Sequence, residues 1–276
     1  MNILPRSLDL SQSTHSSAFE QTLSPEVLRE SVPAVFAPSA HERLSDSYTF
    51  VPTARVLDAL GQAGFLPVEA RQTRSRAASP LHARHLIRLR RRLETVALRE
   101  SVPELLLLNS HDGTSAYQLR FGIFRAVCTN GLVVSVGVFP ACRVLHRGDV
   151  VEQVVRGALE MSERFGDLGT MVERMERTLL DEPARLAFAA EALALRFPKD
   201  RPGTVTPADV LKPRRPEDEG NDLWRTYNTL QEALLRGGIV RRSPRNRLTR
   251  TRRITGIRQD LGLNSALWDL AMTRVV

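Results

Sequence analysis

Residues 108–134 read LNSHDGTSAYQLRFGIFRAVCTNGLVV, and five in a row, Asn109, Ser110, His111, Asp112 and Gly113, are types that a hydrolase uses. A serine nucleophile needs a histidine to take its proton and an acid to hold that histidine. Adjacent residues of a strand point to opposite faces, so Ser110 and His111 do not face each other if the strand runs through them. No Gly-x-Ser-x-Gly elbow surrounds the serine. A hairpin turn explains the cluster as well: Gly tolerates positive φ, and Asp bonds the turn backbone. His111 and Asp112 are the catalytic candidates that this leaves.

The six histidines are His15, His41, His82, His85, His111 and His146, and none forms HxH or HExxH. His111, Asp112, His146 and Asp149 would suit a divalent metal if their two segments neighbour one another in a sheet. Nothing in the spacing demands it, and no cofactor is expected. Gly166-Asp167-Leu168-Gly169 reads as a bend between helices, not as a phosphate loop.

Arginine carries the clearest signal. Residues 71–92, RQTRSRAASPLHARHLIRLRRR, hold eight arginines and no acid. The second half alternates with period two, placing Arg84, Leu86, Arg88, Arg90 and Arg92 on one face and Ala83, His85, Ile87 and Leu89 on the other. The first half, with Arg74 and Arg76, reads as a loop. Residues 236–258 hold nine arginines and no acid, among them Arg241, Arg242, Arg245, Arg247, Arg250, Arg252 and Arg253. Neither run is neutralised locally. Such rows can track a nucleic-acid backbone, with aromatic side chains stacking on bases. Phe121, Phe124 and Tyr117 lie near the hairpin but fit the core better. A solvated face is the plain alternative for any charge run.

The elements that would position these residues are α+β. Residues 1–22 are polar, without an apolar face, and read as disordered. Ser24-Pro25-Glu26 opens a short helix. Strands are expected at 48–51, 65–71, 84–92, 104–109, 116–121, 132–139 and 142–146, and a helix after Pro52-Thr53. From Asp149 onward the apolar period becomes helical: a stripe through Val150, Val154 and Leu159, then helices at 171–180, 183–197, 223–235 and 263–275. The expectation is a central antiparallel sheet (about 48–146) with a mainly helical C-terminal half. By region, residues 23–197 form the α+β core, the proline-bearing 198–220 a linker or loop, and 221–276 a helical region with the Arg-rich loop 236–258.

The chain has 276 residues, 42% of them hydrophobic and 25% charged, enough to bury a core. No run reaches the ~18 apolar residues of a membrane span. The N-terminus lacks the pattern of a secretory signal, so a cytoplasmic protein is expected. Cys128 and Cys142 form no CxxC pair and read as reduced, apolar strand residues. Net charge is +8, and only Lys199 and Lys212 of the 39 basic residues are lysines. A GC-rich genome explains arginine over lysine, but not the excess of positive charge. Arginine forks fit phosphates, so a polyanionic partner is favoured.

The 108–134 stretch resembles the signature of an uncharacterised bacterial family, the YafZ/YfjQ/YubP-like proteins of plasmids and prophages, whose domain of unknown function is numbered 932. The likeness runs from about Leu23 to the C-terminus. It includes SDSYTFVPT (45–53), HARHLIRLRRR, HRGDVV (146–151), NDLWRTYNTLQEALLRGG (221–238) and LNSALWDLAM (263–272). It implies a mobile-DNA setting and marks Asn109, Ser110, His111, Asp112, Gly113, Arg125, Cys128, Asn130, Gly131 and His146 as signature residues. It implies no catalytic residues, because none is assigned in the family.

The leading expectation is a protein that binds single-stranded DNA through arginine–phosphate contacts. Arg84, Arg88 and Arg90, with Arg74, Arg76 and Arg92 nearby, would line a groove, and the arginines of 241–253 would clamp it. One alternative is an interaction protein that blocks a host defence or repair complex. Another is a nuclease using a metal at His111, Asp112, His146 and Asp149. Binding is favoured over catalysis, DNA over RNA. No membrane is involved, and a homo-oligomer stays open.

Overall fold

Apolar, strand-forming segments in the middle of the chain build one antiparallel sheet. The computed structural model describes residues 22–45, 47–73, 79–92, 101–125, 132–133, 141–197, 205–242 and 247–276. The sheet order is β1 (Phe65–Gln72), β2 (His85–Arg91), β3 (Ser101–Asn109), β4 (Tyr117–Arg125) and β5 (Leu132–Val133), with β6 (Cys142–Val144) pairing β4 beside β5. All pairings are antiparallel. β3 is central and almost wholly buried, which its run Leu105 to Leu108 requires, because both of its faces are covered.

Among the described residues, seven helices and a short one surround it. α1 (Pro25–Ser31) begins as its sequence prescribes, with the Ser24 hydroxyl accepting the Val27 N–H and Pro25 at the first position. α2 (Thr53–Gln62) follows Pro52. Then come α3 (Val150–Ser162), α4 (Phe165–Arg177), α5 (Glu182–Arg196), the short α6 (Pro207–Val210), α7 (Leu223–Arg236) and α8 (Ile257–Met272). No described helix is long and apolar enough to cross a membrane.

The two sheet faces have different covers. Ile87, Leu89, Leu105, Leu107, Leu119, Phe121 and Ile123 join one core with Val56 and Leu60 of α2, Val154 and Ala158 of α3 and Phe165 and Leu168 of α4. On the other face Leu86, Leu106, Leu108 and Phe124 pack under Ile257 and Leu261, in the first turns of α8. Removing the Leu261 side chain should cost about 2–4 kcal/mol through this second, smaller cluster.

Several sequence expectations are corrected. Residues 48–51 form no strand; they run as irregular chain, tied by Thr49 N–H to the His146 carbonyl at 2.8 Å. Gly166 to Gly169 lies inside α4 rather than in a bend, because Phe165, Leu168 and Val172 continue its buried stripe. α8 starts at Ile257, six residues before expected: Gly262 looks like a breaker, yet Ile257 and Leu261 already have a face to bury. The 236–258 segment is no plain loop, since β7 (Val240–Arg242) pairs β8 (Leu248–Arg250) as a ribbon. Within 198–220, α6 and a 3-10 turn at Pro216–Asp218 are docked, with Asp218 buried and paired to Arg125. Residues 1–21, Arg74, Arg76, Cys128, Asn130, Gly131, Arg245 and most of 132–139 lie outside the described residues.

Candidate functional site

The signature cluster folds into two parts, one facing inward and one outward. The inward part centres on Thr53, the first residue of α2. Its Oγ1 lies 2.8 Å from His85 Nε2, 3.1 Å from Tyr117 OH and 3.2 Å from both His111 Nε2 and Asn109 Nδ2. Asn109 Oδ1 in turn receives His146 Nε2 at 3.0 Å. Tyr48 stacks on the His146 ring with centroids 4.4 Å apart. Thr53, His85, Asn109 and His111 have no exposed surface at all. The network thus ties the end of β3, the start of β4, β2, α2 and the 146 loop together.

Partners assign the protons. His85 Nδ1 sits 2.9 Å from the Ala83 carbonyl, so Nδ1 carries the hydrogen and Nε2 accepts from the Thr53 hydroxyl. Thr53 then accepts from Asn109 Nδ2–H and His111 Nε2–H, and Tyr117 donates to the Val51 carbonyl at 3.0 Å. All three imidazoles are neutral. Burial pushes His85 down to about 4, against a partial pull upward from the Ala83 carbonyl. Burial, then repulsion from His85 and His146, pushes His111 down to about 3. Burial also lowers His146 and raises the Tyr117 hydroxyl. The Nδ1 atoms of His111 and His146 are buried and find no hydrogen bond among the described residues.

The outward part is the connection between β3 and β4, with Asp112-Gly113 at its tip as the turn reading expected. Gly113 takes φ +77, and a Cβ there would meet the Leu44 side chain at 2.5 Å. Asp112 Oδ1 accepts the Thr114 N–H at 3.0 Å and the Thr114 hydroxyl at 2.6 Å. Burial raises the Asp112 carboxyl, but the Thr114 and Ser110 bonds and nearby Arg43 outweigh it and hold it below the usual range. Ser110 Oγ lies 3.2 Å from Thr114 Oγ1. β3 ends at Asn109, so strand alternation does not reach this pair, but the partners differ: Ser110 meets Thr114 and His111 meets Thr53. The four-residue metal set does not assemble either. His111 and His146 belong to the inner network, Asp112 to the turn, and Asp149 caps α3 through the Glu152 N–H at 3.0 Å. Among the described residues no group of three or more His, Cys, Asp or Glu is placed to hold a metal.

Beside the turn lies a recess of about 280 Å³, lined by His41, Arg43, Thr73, His82, Ala83, Arg84, Asp112, Thr114 and Arg258. Arg84 Nη2 donates to the Thr114 carbonyl at 3.0 Å and approaches its hydroxyl at 3.3 Å. Arg43 Nη2 donates to the Asp112 carbonyl at 3.0 Å and stands 3.7 Å from its carboxylate. Arg258 is exposed on the first turn of α8.

The arginines expected to line one groove are divided. Arg88 and Arg90 are taken up inside the fold: both reach Glu104, which has no exposed surface, and Arg88 also pairs with Glu69. The Arg88 guanidinium lies 3.3 Å over the Phe124 ring. The run holds no acid of its own, yet Arg88 and Arg90 are paired in the fold, because acids come from neighbouring strands: Glu69 is opposite Arg88 across β1–β2. Arg92 is exposed and Arg84 belongs to the recess. Arg242, Arg247, Arg250, Arg252 and Arg253 are exposed and Arg241 is half-buried. Phe121, Phe124 and Tyr117 are core residues.

The sequence reading missed Thr53 as the hub, Glu104 as the counter-ion, and His41, Arg43, His82 and Arg258 as recess residues. One signal was present: His85 falls on the apolar face of the basic strand, where a histidine needs polar company. No local pattern marks Arg43; Arg258 closes the 236–258 arginine run, but nothing in the sequence separates it from the others as a recess residue.

Comparison with known proteins gives the family. The model of the domain of unknown function DUF932 matches residues 40–268. UPF0380 protein YfjQ of Escherichia coli (strain K12) is 44% identical over 255 residues, 92% of each chain. UPF0380 protein YafZ of the same organism is 44% identical over 253 residues, 91% of each chain. No solved structure matches. The chain belongs to the DUF932 family.

Proposed function

We propose that this member of the DUF932 family binds nucleic acid, single-stranded DNA foremost, through arginine–phosphate contacts, in the cytoplasm and on the DNA of a mobile genetic element. The observation that carries the reading is a series of exposed arginines along one acid-free segment. It starts on the β7–β8 ribbon at Arg242, Arg247 and Arg250, passes Arg252 and Arg253, and reaches Arg258 at the recess. No acid interrupts residues 236–258. Arginine forks hold phosphate bidentately, and neutralised phosphates release counterions that drive association. On the ribbon, register places Val240 and Leu248 on one face with Arg242 and Arg250. Both apolar residues are exposed, 49% and 67%. That face offers sugars and bases an apolar contact between phosphate ligands.

A flexible single strand can follow this run into the recess. A duplex, stiff over ~150 base pairs, cannot bend into a cavity of 280 Å³. The test is fluorescence anisotropy of labelled single-stranded and duplex oligonucleotides at low and physiological salt. Six to eight neutralised phosphates predict a log–log salt slope of roughly −4 to −6 for single strands. Weaker binding of duplex is expected, and a flat salt response contradicts the reading.

A further inference from the structure

The recess differs from the ribbon in what it offers. It is concave, and three guanidiniums, of Arg43, Arg84 and Arg258, face one carboxylate, Asp112, leaving two positive charges. Asp112 is already occupied by the Thr114 N–H and hydroxyl. Among the described residues Arg84 Nε is buried and finds no hydrogen-bond partner, an unpaired donor within an arginine that lines the recess. His41 Nδ1 accepts the Arg43 N–H at 3.3 Å, which leaves Nε2 as a further donor. The Thr73 and Thr114 side chains complete the wall. Gly256 caps α8 without a side-chain bond, and Asp260 of its first turn is paired with Arg71, so it does not neutralise Arg258 directly.

Charge selects the ligand. An internal phosphodiester carries one negative charge, whereas a phosphomonoester carries about −1.5 to −2 at pH 7 and has three acceptor oxygens. Two net positive charges and converging donors match the second. We infer that the recess between the β3–β4 turn and the first turn of α8 is a subsite for a phosphomonoester, carried at the end of a strand or by a free mononucleotide. The strand-end form rests on the function proposed above; the mononucleotide form does not.

The experiment uses the full chain and three labelled oligonucleotides of one sequence: 5′-phosphorylated, 3′-phosphorylated and unphosphorylated. A nucleoside monophosphate and its nucleoside serve as competitors. One phosphorylated end should bind about tenfold tighter than the unphosphorylated strand, the worth of one charge-assisted hydrogen bond. The monophosphate should compete and the nucleoside should not. Arg258→Ala, exposed and therefore folded, should shrink the preference to about threefold or less. Arg84→Gln should act in the same direction, while Arg156→Ala, remote on α3, should leave the preference intact. Equal, salt-dependent binding of all three strands overturns the subsite and leaves the strand reading standing. Binding of the monophosphate, lost in Arg258→Ala, with no binding of any strand supports the subsite and overturns the strand reading. Absence of binding to every probe overturns both.

Discussion

In β2, Arg88 and Arg90 are 13% and 16% exposed and share the buried Glu104; on the β7–β8 ribbon, Arg242 and Arg250 stand in solvent beside Val240 and Leu248. Both stretches are rich in arginine and free of acid. The difference is strand register. β2 sits between two strands that each bring an acid to its charged face, whereas among the described strands β7 and β8 pair with each other alone. The first run is therefore part of the architecture, whereas the second presents exposed side chains at Arg242 and Arg250. Charge composition along a segment does not decide this, because counter-ions come from across the sheet.

The largest effect expected from this contrast is Glu104→Ala. Arg88 and Arg90 would lose the buried carboxylate they share, with Arg88 keeping Glu69, at a cost of about 3–5 kcal/mol in chemical denaturation. A loss below about 1 kcal/mol would mean that Arg88 and Arg90 are free enough to rejoin a binding surface.

Next comes pH. His85 and His111 are held neutral, at about 4 and about 3, against an ordinary 6.5. The unfolded chain takes up protons first as pH falls, so this contribution is intact above pH 6.5 and is lost progressively from there towards 4. Each histidine should cost about 1.4 kcal/mol per pH unit in that window. Stability that stays level from pH 7 to 5 would contradict a sealed, neutral network.

Thr53→Val keeps shape and removes the hub. Asn109 Nδ2, His85 Nε2 and His111 Nε2 would lose their common partner, at about 1–3 kcal/mol. Thr53→Ser should restore most of it, and urea denaturation midpoints of the two variants would separate the hydroxyl from the methyl group.

Much of this fold is legible from period alone. The alternation across 84–92 gives β2 and both of its faces, and Asp112-Gly113 gives the turn. Ser24-Pro25 gives the start of α1, with its cap observed. The 48–51 stretch misleads because Tyr48, Phe50 and Val51 are strand formers, used here to pack beside His146 and His111. The site was half legible. Asn109, His111 and His146 stand out by type and do meet, but Thr53 announces itself only as a helix start. The alternation of residues 84–92 marks His85 only by its face, and its bond to Thr53 has no signal in the sequence. The recess could not be read at all, since Arg43, Arg84, Asp112 and Arg258 come from four distant segments that only the completed sheet and α8 bring together.

The smallest effect on stability should come from the ribbon's exit. Arg252→Ala with Arg253→Ala should change folding by no more than about 0.5 kcal/mol, because both side chains are exposed. Gly237→Ala offers a sharper probe of the same region. Its φ is +66, and a Cβ would meet the Thr251 carbonyl oxygen at 2.6 Å, so the segment leading to Arg252 and Arg253 would be displaced. Weaker strand binding in Gly237→Ala, measured by anisotropy, is the expected outcome.

The measurement that bears most directly on the account is the salt dependence of single-strand affinity in the wild type and in the Arg252→Ala/Arg253→Ala variant. The account predicts a wild-type slope of roughly −4 to −6, shallower by about 1.4 in the variant, as two phosphate contacts vanish. A slope that is flat in the wild type, or unchanged in the variant, would contradict it.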